Sequence, residues 1–370
     1  MRQPHAGGVL RTAPLLPVVL ALGLLLTGCS GLPTAREMGD MALLRTLGVD
    51  PSPAGVAVTG STGPRARGLK GEGESALTLF AERESLSAAC LAMQGQSDSF
   101  VFFGYVDQLL VGQALAEEGV RPVLDYFSRD AELGLGAQLW LVRGAAARDA
   151  LSAGGEQGVD SRLETLQNDS EMGVANLTRT AGEVYTDLLE LGCAYVPALS
   201  PAGDGGAALR SAGYGVLKGD ALAGFLEGET AEGLELLAGG PSADVLDVQL
   251  PGGPVTVKAT SARTKSALDF RGNTPSALRL TCQIEVRLSE YRQRPEGETL
   301  DRLRTALEER ERERITAALD RLRAWGTDCT GLGIKGAMSH PARWERIKAE
   351  WPKWFSEIPV ELQVRVDLLP

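Results

Sequence analysis

The sharpest structural signal in the sequence is a strict alternation of apolar and polar residues between Leu278 and Leu288. Successive side chains of a β-strand point to opposite faces of a sheet, so this pattern predicts a strand with one buried face and one solvated face. Cys282 falls on the predicted buried face. The last residues of the chain, Val360 to Leu368, alternate in the same way and predict a closing strand.

The rest of the chain predicts a mixture of strands and helices. Before residue 200, strands are predicted at 41–49, 55–59, 100–105, 108–111, 137–142 and 193–197, and helices at 74–93, 113–119, 122–127, 145–151 and 161–191. After residue 206, hairpins are predicted around Lys218-Gly219-Asp220 and Pro251-Gly252-Gly253, and helices at 230–237, 299–325 and 341–355. We therefore predict an α+β fold with two to three successive mixed α/β subdomains.

The segment Ser200 to Gly206, which reads SPAGDGG, is the clearest linker in the sequence. It divides the chain into a predicted N-terminal domain, 38–200, and a predicted C-terminal domain, 207–370. A further division of the second domain near residue 270 is left open.

The N-terminus carries the features of a secretory signal. An apolar run from Leu15 to Leu26 follows a start that contains Arg2 and Arg11, and it ends at Cys29. The run is shorter than the roughly 20 residues that a membrane-spanning helix needs. A cysteine directly after Leu-Thr-Gly resembles the bacterial lipobox, so we predict cleavage of a signal peptide, 1–28, acylation of Cys29, and a tether, 29–37. An ordinary signal with a chance cysteine is the alternative. The expected location is the outer face of the cytoplasmic membrane.

The charge of the chain excludes one class of partner. The net charge is −11, and removal of residues 1–28 with their two arginines takes it to −13. Such an acidic protein is a poor match for nucleic acid or for an anionic membrane surface, so no nucleic-acid partner is expected.

Four cysteines follow Cys29, at positions 90, 193, 282 and 329. They are far apart in sequence and form no Cys-x-x-Cys pair, which argues against a metal or dithiol site. Two disulfides, with three possible pairings, and buried free thiols are both open. We expect no metal and no cofactor.

The residues that usually carry catalysis are scarce. His340 is the only histidine after the signal region, and no Gly-x-Ser-x-Gly elbow accompanies it. We predict that it helps to cap the helix that starts at Pro341. The segment 331–336 reads GLGIKG and matches a dinucleotide-binding pattern, but it follows a charged helix rather than a strand, so we interpret it as a loop. No catalytic residue and no enzymatic activity are predicted.

Two features near the C-terminus predict local packing. The run Glu308 to Arg314, EERERER, interrupts the apolar stripe of the predicted helix 299–325, and its alternating signs indicate an exposed middle turn with ion pairs. A partner-binding face is the second interpretation. Four of the five tryptophans lie between residues 325 and 354, which favours a packing cluster over a ligand cage.

Taken in order, several motifs resemble the Ger(x)C family, the C-subunit lipoproteins of spore nutrient-germinant receptors. The matching segments are the lipobox, LGVD at 47–50, GEG at 71–73, 102–112, EGVRPVLDYFSRD at 118–130, VLKGDALAGFL at 216–226, the charged helix, 344–354 and IPVELQV at 358–364. The resemblance implies a non-enzymatic subunit that works beside integral-membrane A and B subunits at the spore inner membrane and is required for nutrient-triggered germination.

A second hypothesis is a substrate-binding lipoprotein of a membrane transporter. That function would require two similar α/β lobes and a hinge, whereas the second half of this chain predicts hairpins and a charged helix. A surface hydrolase is a third hypothesis, and the single histidine of the mature chain opposes it.

Overall fold

The structure is a computed structural model, and it describes residues 41–63, 75–155, 158–171, 177–202, 208–240 and 245–369. Strands and short helices make up the first part of this range. The strands are β1 (Met41–Leu43), β2 (Thr46–Ser52), β3 (Gly55–Ser61), β4 (Thr78–Arg83), β5 (Phe100–Phe102), β6 (Gln108–Gly112), β7 (Gln138–Val142) and β8 (Cys193–Ala202). The helices are α1 (Leu86–Gln94), α2 (Gln113–Glu118), α3 (Arg121–Arg129), α4 (Ala147–Ser152), α5 (Asp160–Glu171) and α6 (Ala181–Glu190).

The second part contains longer strands and the longest helix. Its strands are β9 (Ala208–Lys218), β10 (Ala221–Leu226), β11 (Val245–Leu250), β12 (Gly253–Arg271), β13 (Thr274–Tyr291) and β14 (Val360–Leu369). Its helices are α7 (Glu229–Ala238), α8 (Glu298–Trp325), α9 (Leu332–Gly336), α10 (Pro341–Ile347) and α11 (Trp351–Glu357), with a 3₁₀ turn, Lys348–Glu350, between the last two. The predicted α+β class is confirmed.

An eight-stranded sheet, in the order β10-β9-β8-β7-β6-β2-β3-β4, organises the first part. Strands β8, β7, β6 and β2 are parallel, and antiparallel pairs extend the sheet at both ends. Side chains of the central strands alternate between two cores: Leu109 and Leu139 belong to one, and Leu110 and Trp140 belong to the other. Both faces of the parallel region are therefore buried, as is usual for parallel strands.

A four-stranded sheet, in the order β11-β12-β13-β14, organises the second part. The predicted alternation in β13 is confirmed, because its inward residues are at most 2% exposed: Leu278, Leu280, Cys282, Ile284 and Val286. They share a core with apolar residues of α7 and α8. The closing strand β14 is also confirmed, and it runs parallel to β13.

The eight-stranded sheet continues across the predicted linker. Strands β9 and β10 follow residue 206, yet β9 pairs with β8, and β10 pairs with β9. Residues 42–370 form one compact unit by their contacts. The division into 38–200 and 207–370 stays a prediction.

Three predicted helices differ from the structure. The predicted helix 161–191 is two helices, α5 and α6, and residues 177–180 between them are not helical. The predicted helix 74–93 contains strand β4, and helix α1 begins only at Leu86, where the Ser85 hydroxyl accepts a hydrogen bond from the backbone of Ala88. The apolar residues of β4 fit the two-residue repeat of a strand as well as the repeat of a helix, so the pattern alone does not distinguish the two. The predicted helix 341–355 is broken at the 3₁₀ turn before Pro352, because a proline ring clashes with the carbonyl four residues earlier in a continuous helix.

One smaller prediction was wrong, and another is confirmed in position but not in its side-chain contact. The segment 331–336 was predicted to be a loop, but Leu332–Gly336 forms helix α9. His340 occupies the N-cap position of α10, but its side chain makes no capping hydrogen bond. Its ring instead lies against Phe270, with the ring centroids 5.5 Å apart.

Candidate functional site

The turn between β9 and β10, residues 218–220, joins three distant parts of the chain. Its lysine donates a hydrogen bond from Nζ to the carbonyl oxygen of Trp325, at the end of α8, over 2.7 Å. Its glycine amide donates to the carbonyl of Gly192, just after α6, over 2.8 Å. Its aspartate carbonyl accepts from the amide of Val120, at the start of α3, also over 2.8 Å. The turn is therefore a junction and not a free hairpin tip.

Gly119 is required on the other side of this junction. It ends α2, as the sequence predicts, with φ of +138°, a conformation that residues with a side chain rarely adopt. A Cβ atom at this position would also lie 2.8 Å from the Oδ2 atom of Asp220. Two segments that carry the family resemblance, 118–130 and 216–226, therefore meet here.

A crevice of about 550 Å³ lies beside the junction. It is lined by the end of α6 and the start of β8 (189–193), the turn residues Lys218 and Gly219, the segment after α8, and side chains of α9, α10 and α11. Leu189 and Ile334 are exposed at the crevice, whereas Trp351 is buried in its wall.

Asp328 is the buried anion of this crevice. Helix α8 ends at Gly326 in the left-handed conformation, which turns the chain so that Asp328 points inward. Its carboxylate accepts hydrogen bonds from the backbone amides of Leu332 (2.8 Å) and Gly333 (2.7 Å), and from Nε1 of Trp351 (2.8 Å). One side chain thus ties the start of α9 to α11.

Burial determines the pKa of Asp328, and close packing of Trp351 restricts the residue at position 333. Desolvation raises the pKa of Asp328 to about 6, although its three donors act in the opposite direction. Residue 333 has to be glycine, because a Cβ atom there would lie 2.2 Å from the ring of Trp351. The sequence predicted the tryptophan cluster. Its packing is confirmed by the edge-to-face contact of Trp344 and Trp351, whose ring centroids are 5.4 Å apart.

The four cysteines of the body are buried and free, which confirms the free-thiol alternative. Burial raises the pKa of Cys193 to about 12, and the pKa of Cys90 and of Cys282 to about 11. The pKa of Cys329 is also raised well above its usual value by burial. The thiols are therefore protonated at neutral pH, which makes them poor nucleophiles and poor metal ligands.

The charged run of α8 is not an exposed turn, which corrects the prediction. Arg314 and Glu311 are each 4% exposed. The Arg314 guanidinium lies 2.5 Å from a carboxylate oxygen of Glu229, 2.7 Å from one of Glu232 and 3.1 Å from one of Glu311. The run therefore fixes α8 to α7.

Other members of the run cover the outer edge of β14. A carboxylate oxygen of Glu308 accepts from the backbone amide of Val366 over 3.2 Å, and Arg312 donates to the carbonyl of Leu362 over 2.9 Å. Exposed strand edges invite pairing with other chains, and these side chains occupy two backbone groups of that edge. The partner-face interpretation of the run gains no support from these contacts.

The lining of the crevice contains apolar side chains, the buried carboxyl group of Asp328 and the thiol of Cys193. It contains no histidine, and its one thiol, Cys193, is protonated. Within the described ranges, no three His, Cys, Asp or Glu side chains are placed to hold a metal ion. No helix in those same ranges is long and apolar enough to cross a membrane. The predicted lipidation site, Cys29, lies outside the described residues.

Comparison with known families identifies the chain. Residues 34–201 match the family described as "Spore germination protein N-terminal domain". Residues 212–369 match the family described as "Spore germination B3/ GerAC like, C-terminal". The chain belongs to the Ger(x)C family of germinant-receptor C subunits. The crevice is lined by residues from both matched segments.

A solved structure shows the same fold. The chain is similar to the protein titled "Crystal Structure of the GerBC protein", with a TM-score of 0.59 and 20% sequence identity over 88% of this chain and 97% of that one. None of the curated proteins matches the chain.

Proposed function

We propose that this Ger(x)C protein is a lipid-anchored, non-enzymatic subunit of a germinant receptor and is required for nutrient-triggered germination. The observation that carries the proposal is the match of two germination families, in order, to residues 34–201 and 212–369. Its partners are integral-membrane A and B subunits. Its location is the outer face of the spore inner membrane, reached through acylation of Cys29.

The site chemistry supports a role without catalysis. The crevice presents apolar side chains, a buried carboxyl group and one protonated thiol, and its walls are tied together by hydrogen bonds from the Lys218 side chain and the Gly219 amide. These features favour a surface that binds a partner, or that moves together with a bound partner. The N-terminal matched segment, the C-terminal matched segment and the junction between them would then act as one body.

Affinity purification from detergent-solubilised spore membranes tests the proposal. The tagged full chain should bring down two multi-spanning membrane proteins in a fixed ratio, and a tagged lipoprotein of unrelated family should not. Recovery of a permease and an ATPase would instead support the transporter hypothesis. Recovery of the chain without any membrane protein would contradict both assignments.

A deletion tests the requirement for germination. Spores that lack the chain should form in normal numbers but fail to germinate in nutrient, and the wild-type gene should restore the response. Normal nutrient germination in the deletion strain would contradict the requirement.

A further inference from the structure

Strand β11 is an edge of the four-stranded sheet, and it pairs with β12 alone. Residues of an antiparallel ladder alternate between pairs that exchange backbone hydrogen bonds and pairs that do not. Gln249 lies opposite Pro254, which has no N–H group, so this pair is of the second kind. Gln249, Asp247 and Val245 therefore direct their backbone N–H and C=O groups away from β12, to the outer edge of the sheet.

Two other sheet edges of the protein are occupied by side chains. On β14, Glu308 and Arg312 occupy backbone groups of the outer edge. On β4, the side-chain amide of Gln96 accepts from the backbone N–H of Phe80 over 3.1 Å and donates to its carbonyl over 2.6 Å. Along β11, none of the described residues makes such a contact, and the strand has no lysine, proline or register shift to protect its edge. This edge is open to a further strand.

Apolar side chains of β11 are also left partly uncovered. Val245 is 57% exposed, on the solvated face of the sheet. Val248 and Leu250 pack against the core on the other face, but they are only half-buried. An open backbone edge beside uncovered apolar side chains is the arrangement to which an extended strand adds.

A second copy of the same strand can occupy this edge. Two copies of β11 related by a two-fold axis at Val248 run antiparallel, with Asp247 of each copy opposite Gln249 of the other. Both residues direct backbone groups outward, so each of these pairs exchanges backbone hydrogen bonds. The neighbouring register, with the axis at Asp247, places two carboxylates directly opposite each other and is destabilised by their repulsion.

The register with the axis at Val248 also matches apolar residues on both faces of the sheet. On the core face, Leu246 lies opposite Leu250 of the second copy. On the solvated face, Val245 lies opposite Pro251, which is exposed as well. Opposite side chains share a face in antiparallel pairing, so the half-buried side chains of the two copies cover one another.

We propose that two copies of this protein pair through β11 when they are attached to the same membrane. An edge of six residues buries less than the roughly 1,200 Å² of a stable interface. Attachment of both copies to one membrane raises their effective concentration, as a linker does. The pairing therefore rests on the membrane attachment proposed above, but not on the identity of the receptor partners.

Disulfide cross-linking of the full chain in membranes tests the register. Val248→Cys places two thiols opposite each other at the two-fold axis, close enough for a disulfide. Val245→Cys is the matched control, because this position is more exposed but its two copies lie about 20 Å apart along the paired strands. With copper phenanthroline as the oxidant, V248C should form a dimer on a non-reducing gel about tenfold faster than V245C. Equal rates for the two variants would overturn the pairing.

Backbone variants separate pairing from collision. Gln249→Pro removes an outward N–H group that β12 does not use, so the hairpin keeps its own hydrogen bonds while the second copy loses a donor. In the V248C background, Q249P should abolish the cross-link and Q249A should keep it, and equal urea midpoints would show that both fold. The exposed double variant D247K/Q249K should also abolish it, because lysines would then lie opposite each other. A cross-link that survives both Q249P and D247K/Q249K would overturn the proposal.

The same samples distinguish the other occupants of the edge. A cross-link of V248C to a different protein would overturn the second copy in favour of a strand from a partner subunit. Absence of a dimer while the chain is in the membrane fraction would overturn the pairing alone. Absence of the chain from that fraction would overturn the anchor and the pairing with it. Co-purification of the A and B subunits depends on neither result, so the receptor proposal can fail or hold separately.

Discussion

Asp328 shows how much a single buried carboxylate can hold together. It accepts three hydrogen bonds. Among the described residues, it is the only side chain that accepts both from backbone amides of α9 and from the indole of Trp351. In the variant Asp328→Asn, the amide NH₂ group faces one of these donors and cannot accept from it. An unsatisfied buried donor costs about 1–3 kcal/mol, so we expect the free energy of unfolding to fall by that amount in urea denaturation. The control Asp320→Asn, on the exposed side of α8, should leave it unchanged.

The pH dependence of stability isolates the same carboxyl group. Burial raises the pKa of Asp328 from its ordinary value of 3.8 to about 6. The folded protein therefore binds more protons at this group than the unfolded chain does, and the contribution of Asp328 is full below about pH 4 and is lost as the pH rises through about 6. The stability difference between the wild type and Asp328→Asn should shrink over this window. A difference that stays constant with pH, measured by urea denaturation, would contradict the shifted pKa.

The role of Asp328 could not be predicted from its sequence position. Its aromatic partner is Trp351, 23 residues away and beyond two helices. Only the tryptophan cluster itself is visible as a local concentration of residues. Likewise, the turn 218–220 is predictable from its Lys-Gly-Asp sequence, but its hydrogen bonds to residues 120, 192 and 325 depend on the tertiary fold.

At the scale of elements, the contact between α7 and α8 depends on Gly233. A Cβ atom at this position would lie 2.1 Å from the backbone carbonyl oxygen of Arg314, so the variant Gly233→Ala has to push the two helices apart. Overpacking of this kind costs about 1–3 kcal/mol of the free energy of unfolding. Gly252→Ala is the control, because a Cβ atom there meets no other atom within 4 Å. Equal thermal midpoints for the two variants would show that α7 and α8 are not in close contact.

Arg314 tests the corrected interpretation of the charged run. In Arg314→Met, Glu311 loses its cation while it stays 4% exposed, and breaking such a buried pair costs about 3–5 kcal/mol. Arg321→Met removes an exposed arginine from the same helix and should have little effect on urea denaturation. Similar stabilities of the two variants would favour the original prediction of an exposed turn.

The elements that the sequence predicted best are those with one dominant pattern. The predicted alternation of β13 is present in the structure, because a shift of one residue would move all its apolar side chains from the buried face to the solvated face. The run EERERER has no apolar pattern, so its buried members could be identified only from the acids of α7 that surround Arg314. The segment around β4 satisfied both helical and strand periods, and pairing with β3 decided between them.

At the scale of the whole molecule, one continuous body follows the predicted tether. The eight-stranded sheet takes strands from both matched segments, and the turn 218–220 adds hydrogen bonds between them. The predicted division at 200–207 falls between the two matched segments, and strands from both segments share one sheet.

Attachment of this body to a membrane depends on Cys29 if the lipid proposal is correct. The variant Cys29→Ala removes the thiol that would carry the acyl chains. Each buried methylene of such a chain contributes about 0.8 kcal/mol to membrane binding. We expect the variant to move from the membrane fraction to the soluble fraction after cell disruption in high salt, which also weakens electrostatic attachment. Ser30→Ala, a change at the next residue, should stay with the membrane. If Cys29→Ala also stays with the membrane in high salt, the acyl anchor is wrong, and attachment must come from another part of the chain or from the partner subunits.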